Sequence, residues 1–187
     1  DVLLASPAQV MHTLCRLVVT SEFWLSAGNS LLRVLIGFLL AVAAGSGLAV
    51  LTSFVPTARA LLVPAISTIK ATPVASFIIL ALIWLHSDRV SIFIAFLMVL
   101  PIVWTNVAQG IAKTDRRLLE MGQVFRFSRL KTFRCIYLPS VMPYFVAACM
   151  TGMGLAWKAG IAAEVLGVPR KSIGEHLYNA KIYLETP

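Results

Sequence analysis

The chain has 187 residues, of which 59% are hydrophobic and 13% are charged, and its formal net charge is +8. Soluble domains carry about 25% charged residues, and a soluble globule of this size has too little interior to bury so much apolar surface. The composition therefore argues against a soluble enzyme, a nucleic-acid-binding domain and a disordered chain. It favours an integral membrane protein whose excess positive charge lies in cytoplasmic loops.

Residues 1–30 contain the first predicted element, a short amphipathic helix. Apolar residues recur there at the spacing of one helical face, namely Val10, Leu14, Leu17 and Val18. Ser6 and Pro7 give a helix start signal just before them. We expect this segment to lie along the extracytoplasmic surface of the membrane.

Four longer apolar stretches follow and are predicted to cross the membrane. A bilayer core of about 30 Å requires about 20 apolar residues in a helix. Residues 31–187 are therefore expected to form an all-α, polytopic transmembrane bundle, with spans at about 31–55, 71–87, 90–110 and 138–160. Prolines in or beside these stretches indicate either packing kinks or short broken helices that line a pathway; they are Pro64, Pro73, Pro101 and Pro143.

The loop at 111–137, between the third and fourth spans, determines the predicted orientation. It carries seven basic residues against two acidic residues. Because loops rich in Lys and Arg stay on the cytoplasmic side, we expect this loop in the cytoplasm. The alternation of spans then places residues 1–30, the turn at Ser87 and Asp88, and the last thirty residues outside.

Within this loop the sequence predicts two short amphipathic helices. Thr114 or Asp115 can cap the first helix, whose apolar face carries Leu118, Met121, Gly122 and Phe125. Ser128 can cap the second helix, whose apolar stripe contains Leu130, Phe133, Ile136 and Tyr137. Pro139 suits the first turn of the next span. Such a loop can lie on anionic lipid headgroups or dock into a groove of a cytoplasmic partner, and composition leaves both possibilities open.

The spacing of this loop resembles that of ABC-type importer permeases, the binding-protein-dependent transport components. Their pattern is Glu-Ala-Ala, three residues, Gly, nine residues, Ile, one residue and Leu-Pro. Glu120 occupies the first position here, and the closing positions are occupied by Ile136, Leu138 and Pro139. The preceding residues also resemble the usual start of the motif, namely Asp115, Arg116, Leu118 and Leu119.

The chain departs from that pattern at three positions. Met121 and Gly122 replace the two alanines, and Arg126 replaces the glycine. That glycine is expected to turn the chain with a positive φ, so arginine there is expected to cost backbone strain. By the resemblance, Glu120 would contact an ATPase or hold the loop together; the alternative is a first-turn acid favoured by the helix dipole. Leu118, Leu119, Met121 and Phe125 would supply the apolar anchor.

Other segments resemble the nitrate, sulfonate and taurine group of these permeases. They are residues 29–31 with 33–38, residues 72–73 with 81–84, and residues 154–157 with 162–167. The likeness therefore covers about residues 28–180. The resemblance also leads us to expect one further span before Asp1 and one after Pro187.

The resemblance implies a type I ABC importer permease, a multi-pass protein of the bacterial inner membrane. A second permease copy, expected to form a homodimer, would complete the pathway for a small sulfonate, nitrate or taurine-like solute. Separate cytoplasmic ATPase subunits would bind ATP and Mg²⁺, and an extracytoplasmic binding protein would deliver the solute. The chain would be no enzyme, would hold no cofactor and would bind no nucleic acid. The alternative is a membrane scaffold that docks another cytoplasmic protein.

Two ionisable residues at membrane depth are candidate pathway residues. Lys70 would contact an anionic solute or the ATPase; the alternative, which the long side chain favours, is that it extends its ammonium to the interface. Glu164 would face the pathway or lie in an outer loop that touches water or the binding protein. Lys158 is on a different helical face from Glu164, so the two are not expected to pair within one helix. The scattered His and Cys residues give no catalytic or metal-ligand spacing.

Overall fold

The computed structural model describes residues 7–183, and the regular elements in that range are all helices, which confirms the all-α prediction. Ser6 lies outside the described residues. The α-helices are α1 (Pro7–Val18), α2 (Ser21–Phe54), α3 (Pro56–Ala71), α4 (Val74–Trp84), α5 (Ser87–Ala112), α6 (Arg116–Val124), α7 (Arg129–Thr132), α8 (Leu138–Gly167) and α9 (Ile173–Tyr183). A π-helical turn at Phe133–Tyr137 joins α7 to α8.

The amphipathic helix expected near the start of the chain is present as α1. Its apolar residues are exposed, namely Val10, Leu14, Leu17 and Val18. α2 already begins at Ser21, so the segment predicted at 1–30 contains both α1 and the first turns of α2. The Trp24 side chain donates to the carbonyl of Val18 at 2.8 Å and fixes the turn between the two helices. The location of α1 on a membrane surface stays a prediction.

Three continuous helical stretches are long and apolar enough to cross a membrane: Ser21–Phe54, Ser87–Ala112 and Arg129–Gly167. At 1.5 Å per residue, α2 is about 50 Å long and exceeds an apolar core of about 30 Å. These helices contain three of the four predicted spans. These helices extend beyond the apolar runs because their polar end turns can lie in water. The first turn of α2, which contains Glu22, is an example.

The stretch 71–87, predicted as a single span, is divided in the structure. α4 has 11 residues, and a helix of about 16 Å is too short to cross a bilayer. Only together are α3 and α4 long and apolar enough to cross a membrane, and the pair is bent by 104°. The bend lies at Pro73, which restricts Thr72 to an extended conformation with ψ of 133°. Of the two alternatives predicted for the prolines, a broken helix is therefore correct at Pro73. The helices continue through Pro64, Pro101 and Pro143.

The chain divides into two compact units. Unit 1 comprises the residues up to Gly37, Pro73–Ala95 and the residues from Ala156 onward, and unit 2 comprises Phe38–Thr72 and Phe96–Leu155. The described parts of the segments predicted outside all belong to unit 1, and the loop predicted in the cytoplasm belongs to unit 2. This grouping agrees with the expected alternation of spans, and the orientation itself stays a prediction.

Glycine allows helices within each unit to approach closely. In unit 1, a Cβ atom at Gly160 would lie 2.6 Å from Val34 Cγ2, and in unit 2 a Cβ atom at Gly45 would lie 3.0 Å from Val103 Cβ. Such contacts are typical of membrane helices, whose association depends on close packing. Val34 and Val103 are both fully buried.

Candidate functional site

The predicted docking helix is α6, and its start is fixed by Asp115. The Asp115 carboxylate accepts a hydrogen bond from the backbone N–H of Arg117 at 2.9 Å. Of the two caps that the sequence allowed, Asp115 is therefore correct. Thr114 instead donates its hydroxyl to the carbonyl of Gly110 at 3.2 Å and closes the end of α5.

The end of α6 is a left-handed turn at Arg126, where φ is 50°. The N–H of Arg126 donates to the Gln123 carbonyl at 2.9 Å, and the N–H of Phe127 donates to the Gly122 carbonyl at 2.8 Å. This pair of bonds is the Schellman arrangement, which usually places glycine at the left-handed position. The expected positive φ is confirmed, and the arginine adopts it at a cost of about 1–2 kcal/mol.

Gly122 explains one of the departures from the family pattern. It is buried, and a Cβ atom there would lie 3.0 Å from Ile136 Cδ1 and 3.6 Å from Phe127 Cδ2. Ile136 belongs to the π-helical turn and is itself buried. The missing side chain therefore lets α6 pack directly against the start of the last long helix. Nothing in the structure explains Met121 in the place of the other alanine.

The outer surface of α6 is apolar and exposed. Phe125 is 68% exposed and Val124 is 79% exposed, and Leu118 and Met121 are also exposed. Leu119 is half-buried, while Glu120, Arg116 and Arg117 are exposed. Val124 was not predicted as part of this surface, although it directly precedes Phe125. An apolar patch edged by charged residues is typical of a protein interaction surface.

The second predicted loop helix is not separate from the last span. Ser128 caps it as expected, because its hydroxyl accepts from the N–H of Lys131 at 3.3 Å. α7 then continues through the π-helical turn into α8, so that Arg129–Gly167 forms one stretch. Leu138 and Pro139 are exposed in the first turn of α8. Proline lacks an N–H and interrupts the regular α-helical bonding at that point.

Glu164 lies inside unit 1, fully buried within α8. The Ser30 hydroxyl donates to its carboxylate at 2.6 Å, and the N–H of Gly174 donates at 3.4 Å. Arg33 approaches the same carboxylate at 3.4 Å and also pairs with Asp88 at 2.8 Å. Of the two alternatives for Glu164, a position in an outer loop that touches water is wrong. Its ionic partner is on α2, and Lys158 is exposed, as their helical spacing requires. We call Ser30, Arg33, Asp88 and Glu164 the Glu164 cluster.

The Glu164 cluster also holds the turn between α8 and α9. Ser30 accepts from the N–H of Ile173 at 3.0 Å, and Asn29 donates to the Lys171 carbonyl at 3.2 Å. Val168 and Lys171 have φ of 45° and 54°, so the turn is strained and needs these bonds. Gly174 packs on the backbone of Glu164 with no room for a Cβ atom. The signal in the sequence that could have revealed this cluster is Arg33, a charged residue in the long apolar helix α2.

Lys70, the other candidate pathway residue, lies in unit 2 and is exposed. Its ammonium donates to the Thr105 hydroxyl at 2.7 Å, and that hydroxyl donates to the Pro101 carbonyl at 2.6 Å. The described residues contain two ion pairs, both formed by Arg33. Lys70 therefore has no carboxylate partner within residues 7–183. In the same range, His, Cys, Asp and Glu form no group of three that could hold a metal ion.

Long apolar helices with a short capped helix between two of them are the arrangement expected of an ABC-type transport permease. The chain belongs to the family of binding-protein-dependent transport system inner membrane components, which matches residues 26–186. It has the type I ABC importer permease fold and is a multi-pass protein of the bacterial inner membrane.

Curated relatives place it near the sulfonate and nitrate permeases. The chain is 27% identical over 187 residues to an ABC transporter permease protein of Brucella melitensis. The matched region covers all of this chain and 76% of that protein. It is 25% identical to the aliphatic sulfonates transport permease protein SsuC of Bacillus subtilis, over 98% of this chain and 66% of that protein. It is 29% identical to the nitrate import permease protein NrtB of Leptolyngbya laminosa, over 77% of this chain and 52% of that protein.

Proposed function

We propose that this chain forms the translocation pathway of an ATP-driven importer and receives the force of ATP binding through α6. The observation that supports this most directly is the docking loop, in which a capped helix presents exposed apolar residues outside the long helices. Leu118, Met121, Val124 and Phe125 are the exposed anchors of that surface. Buried apolar and aromatic anchors usually carry most of the energy of docking.

The contacts of α6 suggest how a displacement of this helix would be transmitted to the membrane helices. Gly122 packs on Ile136, and Ile136 lies within the continuous stretch Arg129–Gly167. Because close-packed interiors transmit displacement with little compression, a movement of α6 moves the start of α8. Closure of the ATPase pair on ATP then shifts the pathway between inward-open and outward-open states. Coupling of this kind is a free energy shared between two sites.

The proposed assembly contains partners on both sides of the membrane. Cytoplasmic ATPase subunits bind ATP and Mg²⁺, an extracytoplasmic binding protein delivers the solute, and a second copy of the chain completes the pathway as a homodimer. The chain itself breaks no covalent bond and holds no cofactor. The names of the relatives specify aliphatic sulfonates and nitrate, so we propose a small solute with an oxyanion group as the cargo.

The test is purification of the full-length protein from its own host in mild detergent, followed by identification of what co-purifies. We expect a stoichiometric ATPase subunit and ATP hydrolysis. Leu118→Asp together with Phe125→Glu should remove the ATPase, because both side chains are exposed and two charges then face its groove. Val19→Asp is the matched control, since Val19 is 86% exposed but lies between α1 and α2.

The outcomes separate the importer from the scaffold. Loss of the ATPase from the loop variant and its retention in Val19→Asp support the proposal. A clean preparation that contains a different cytoplasmic protein and no ATPase would support the scaffold instead. An ATPase that remains bound to the loop variant would show that α6 is not the docking element.

A further inference from the structure

A cavity of about 420 Å³ lies in unit 2, and its lining includes Thr105, which accepts the hydrogen bond from Lys70. It is lined by the end of α2, one face of α3, the second half of α5 and the π-helical turn. Its polar lining residues are Thr52, Ser53, Arg59, Trp104, Thr105, Gln109 and Tyr137. We call it the cationic cavity. Its volume is within the range of about 300–1,000 Å³ that is usual for small-molecule sites.

The two cations of α3 lie on the same side of that helix. Arg59 lines the cavity, and Lys70 follows it by three turns, about 16 Å further along the axis. The face between them contains Ile66, which is 3% exposed, and Val63, which lines the cavity and is 38% exposed. Lys70 is tied to the cavity wall by its bond to Thr105.

No carboxylate among residues 7–183 balances the positive charge of this region. The lining contains Arg59 and neither Asp nor Glu, and both ion pairs of the described residues belong to Arg33 in unit 1. A cation in an apolar helix needs an opposite charge, water or a ligand. The cavity is therefore suited to an anion.

The neutral polar groups of the wall are already oriented. Trp104 donates to the Thr52 hydroxyl at 2.9 Å, and Thr52 donates in turn to the Leu48 carbonyl at 2.8 Å. Ser53 and Thr105 also donate to backbone carbonyls of their own helices. These hydroxyl protons are in use, so the ammonium of Lys70 and the guanidinium of Arg59 carry the attraction for a ligand.

We propose that the cationic cavity is a binding site for the oxyanion group of the transported solute, held by Lys70 and Arg59. The identity of that solute class rests on the proposed function, whereas the site rests on the unpaired cations and the acid-free lining. Lys70, fixed by Thr105, gives the directed contact. Arg59 sets the charge at the far end of the cavity.

The experiment uses the intact permease–ATPase complex in nanodiscs of phosphatidylcholine, which carries no net charge. Binding of methanesulfonate and of nitrate is measured by calorimetry for the wild type and for Lys70→Gln, Lys70→Arg and Arg59→Gln. Because hydrogen bonds to charged groups contribute more than neutral ones, we expect Lys70→Gln to weaken binding by about tenfold or more. Lys70→Arg should retain most of the affinity, and Arg59→Gln should lose a smaller factor.

The control is Arg89→Gln, which removes an exposed cation of α5 that does not line the cavity. It should leave anion affinity unchanged. Equal affinity in Lys70→Gln and the wild type would overturn the proposal, as would failure of the wild type to bind either probe. Occupation of the cavity by phosphatidylglycerol from the host, with no competition by methanesulfonate, would also overturn it and assign the site to lipid headgroups.

Failure of the site and failure of the proposed function give different results. If the ATPase co-purifies and ATP is hydrolysed while Lys70→Gln binds anions normally, only the site is wrong. If no ATPase accompanies the wild type, the proposed function is wrong, and anion binding by the permease alone still reports on the cavity. Co-purification of the ATPase with Lys70→Gln verifies that the variant has folded.

Discussion

The Glu164 cluster and the cationic cavity differ in how their charged side chains are partnered. In the cluster, the buried carboxylate of Glu164 receives bonds from Ser30, Arg33 and Gly174. At the cavity, Arg59 of the lining and Lys70, which is bonded to Thr105 of the lining, are exposed and have no carboxylate partner among residues 7–183. One region uses charge to hold its own chain together, and the other leaves charge available to something outside the chain.

This difference distinguishes charge that stabilises the fold from charge that we propose binds the solute. An ionisable group at membrane depth is a candidate functional residue by default, and both Glu164 and Lys70 met that criterion in the sequence. Their surroundings distinguish them, because Glu164 is fully buried with partners whereas Lys70 is exposed beside a polar cavity. Mutations should therefore affect stability in the first region and solute handling in the second.

The largest effect is expected for Glu164→Ala. Removal of one partner of a buried ion pair typically costs about 3–5 kcal/mol, and here it also leaves Ser30 and Gly174 without their acceptor. Asp88→Asn is the matched control, because Asp88 pairs with the same arginine but its side chain is 66% exposed. Thermal unfolding in detergent checks this prediction. Equal losses for the two variants would contradict the structural role of Glu164.

Gly174→Ala should come next. A Cβ atom there has no space against the backbone of Glu164, and forced overpacking costs about 1–3 kcal/mol. Gly154→Ala is the control, since nothing lies within 4 Å of its Cβ position. In a helix, replacement of glycine by alanine stabilises the folded state by up to about 1 kcal/mol. Melting temperatures that change alike for both variants would refute the close contact at Gly174.

Arg126→Gly tests the turn after α6 and should have the smallest effect. Because Arg126 has a φ of 50°, glycine relieves strain and should raise the free energy of unfolding by about 1 kcal/mol. Arg126→Ala removes the same charge and keeps the strain, so it should not stabilise the protein. Denaturation of the two variants side by side measures the difference. A more stable alanine variant would mean that charge, and not backbone conformation, dominates at this position.

Local features of the fold could be predicted from the sequence. The caps at Asp115 and Ser128 and the positive φ at Arg126 each depend on residues within a few positions of one another. The apolar runs likewise indicated three of the long helices. In each case the chemistry that decides the structure lies inside the segment.

Other features depend on residues that are distant in the sequence. Arg33 and Glu164 are 131 residues apart, and no helical periodicity indicates that they pair. Pro73 is compatible with a kink or a break, and only the bent pair of α3 and α4 decides between them. The joining of α7 to α8 was missed because Ser128 and Pro139 both suggested helix starts, while the intervening π-helical turn has no clear sequence signal.

The most direct test of the central claim is solute uptake by the reconstituted complex of permease, ATPase and binding protein in proteoliposomes. We predict that ATP drives accumulation of an oxyanion solute, tested with nitrate and methanesulfonate, and that Phe125→Glu abolishes it while Val19→Asp does not. Accumulation that needs no ATP, or that continues unchanged in Phe125→Glu, would contradict the account.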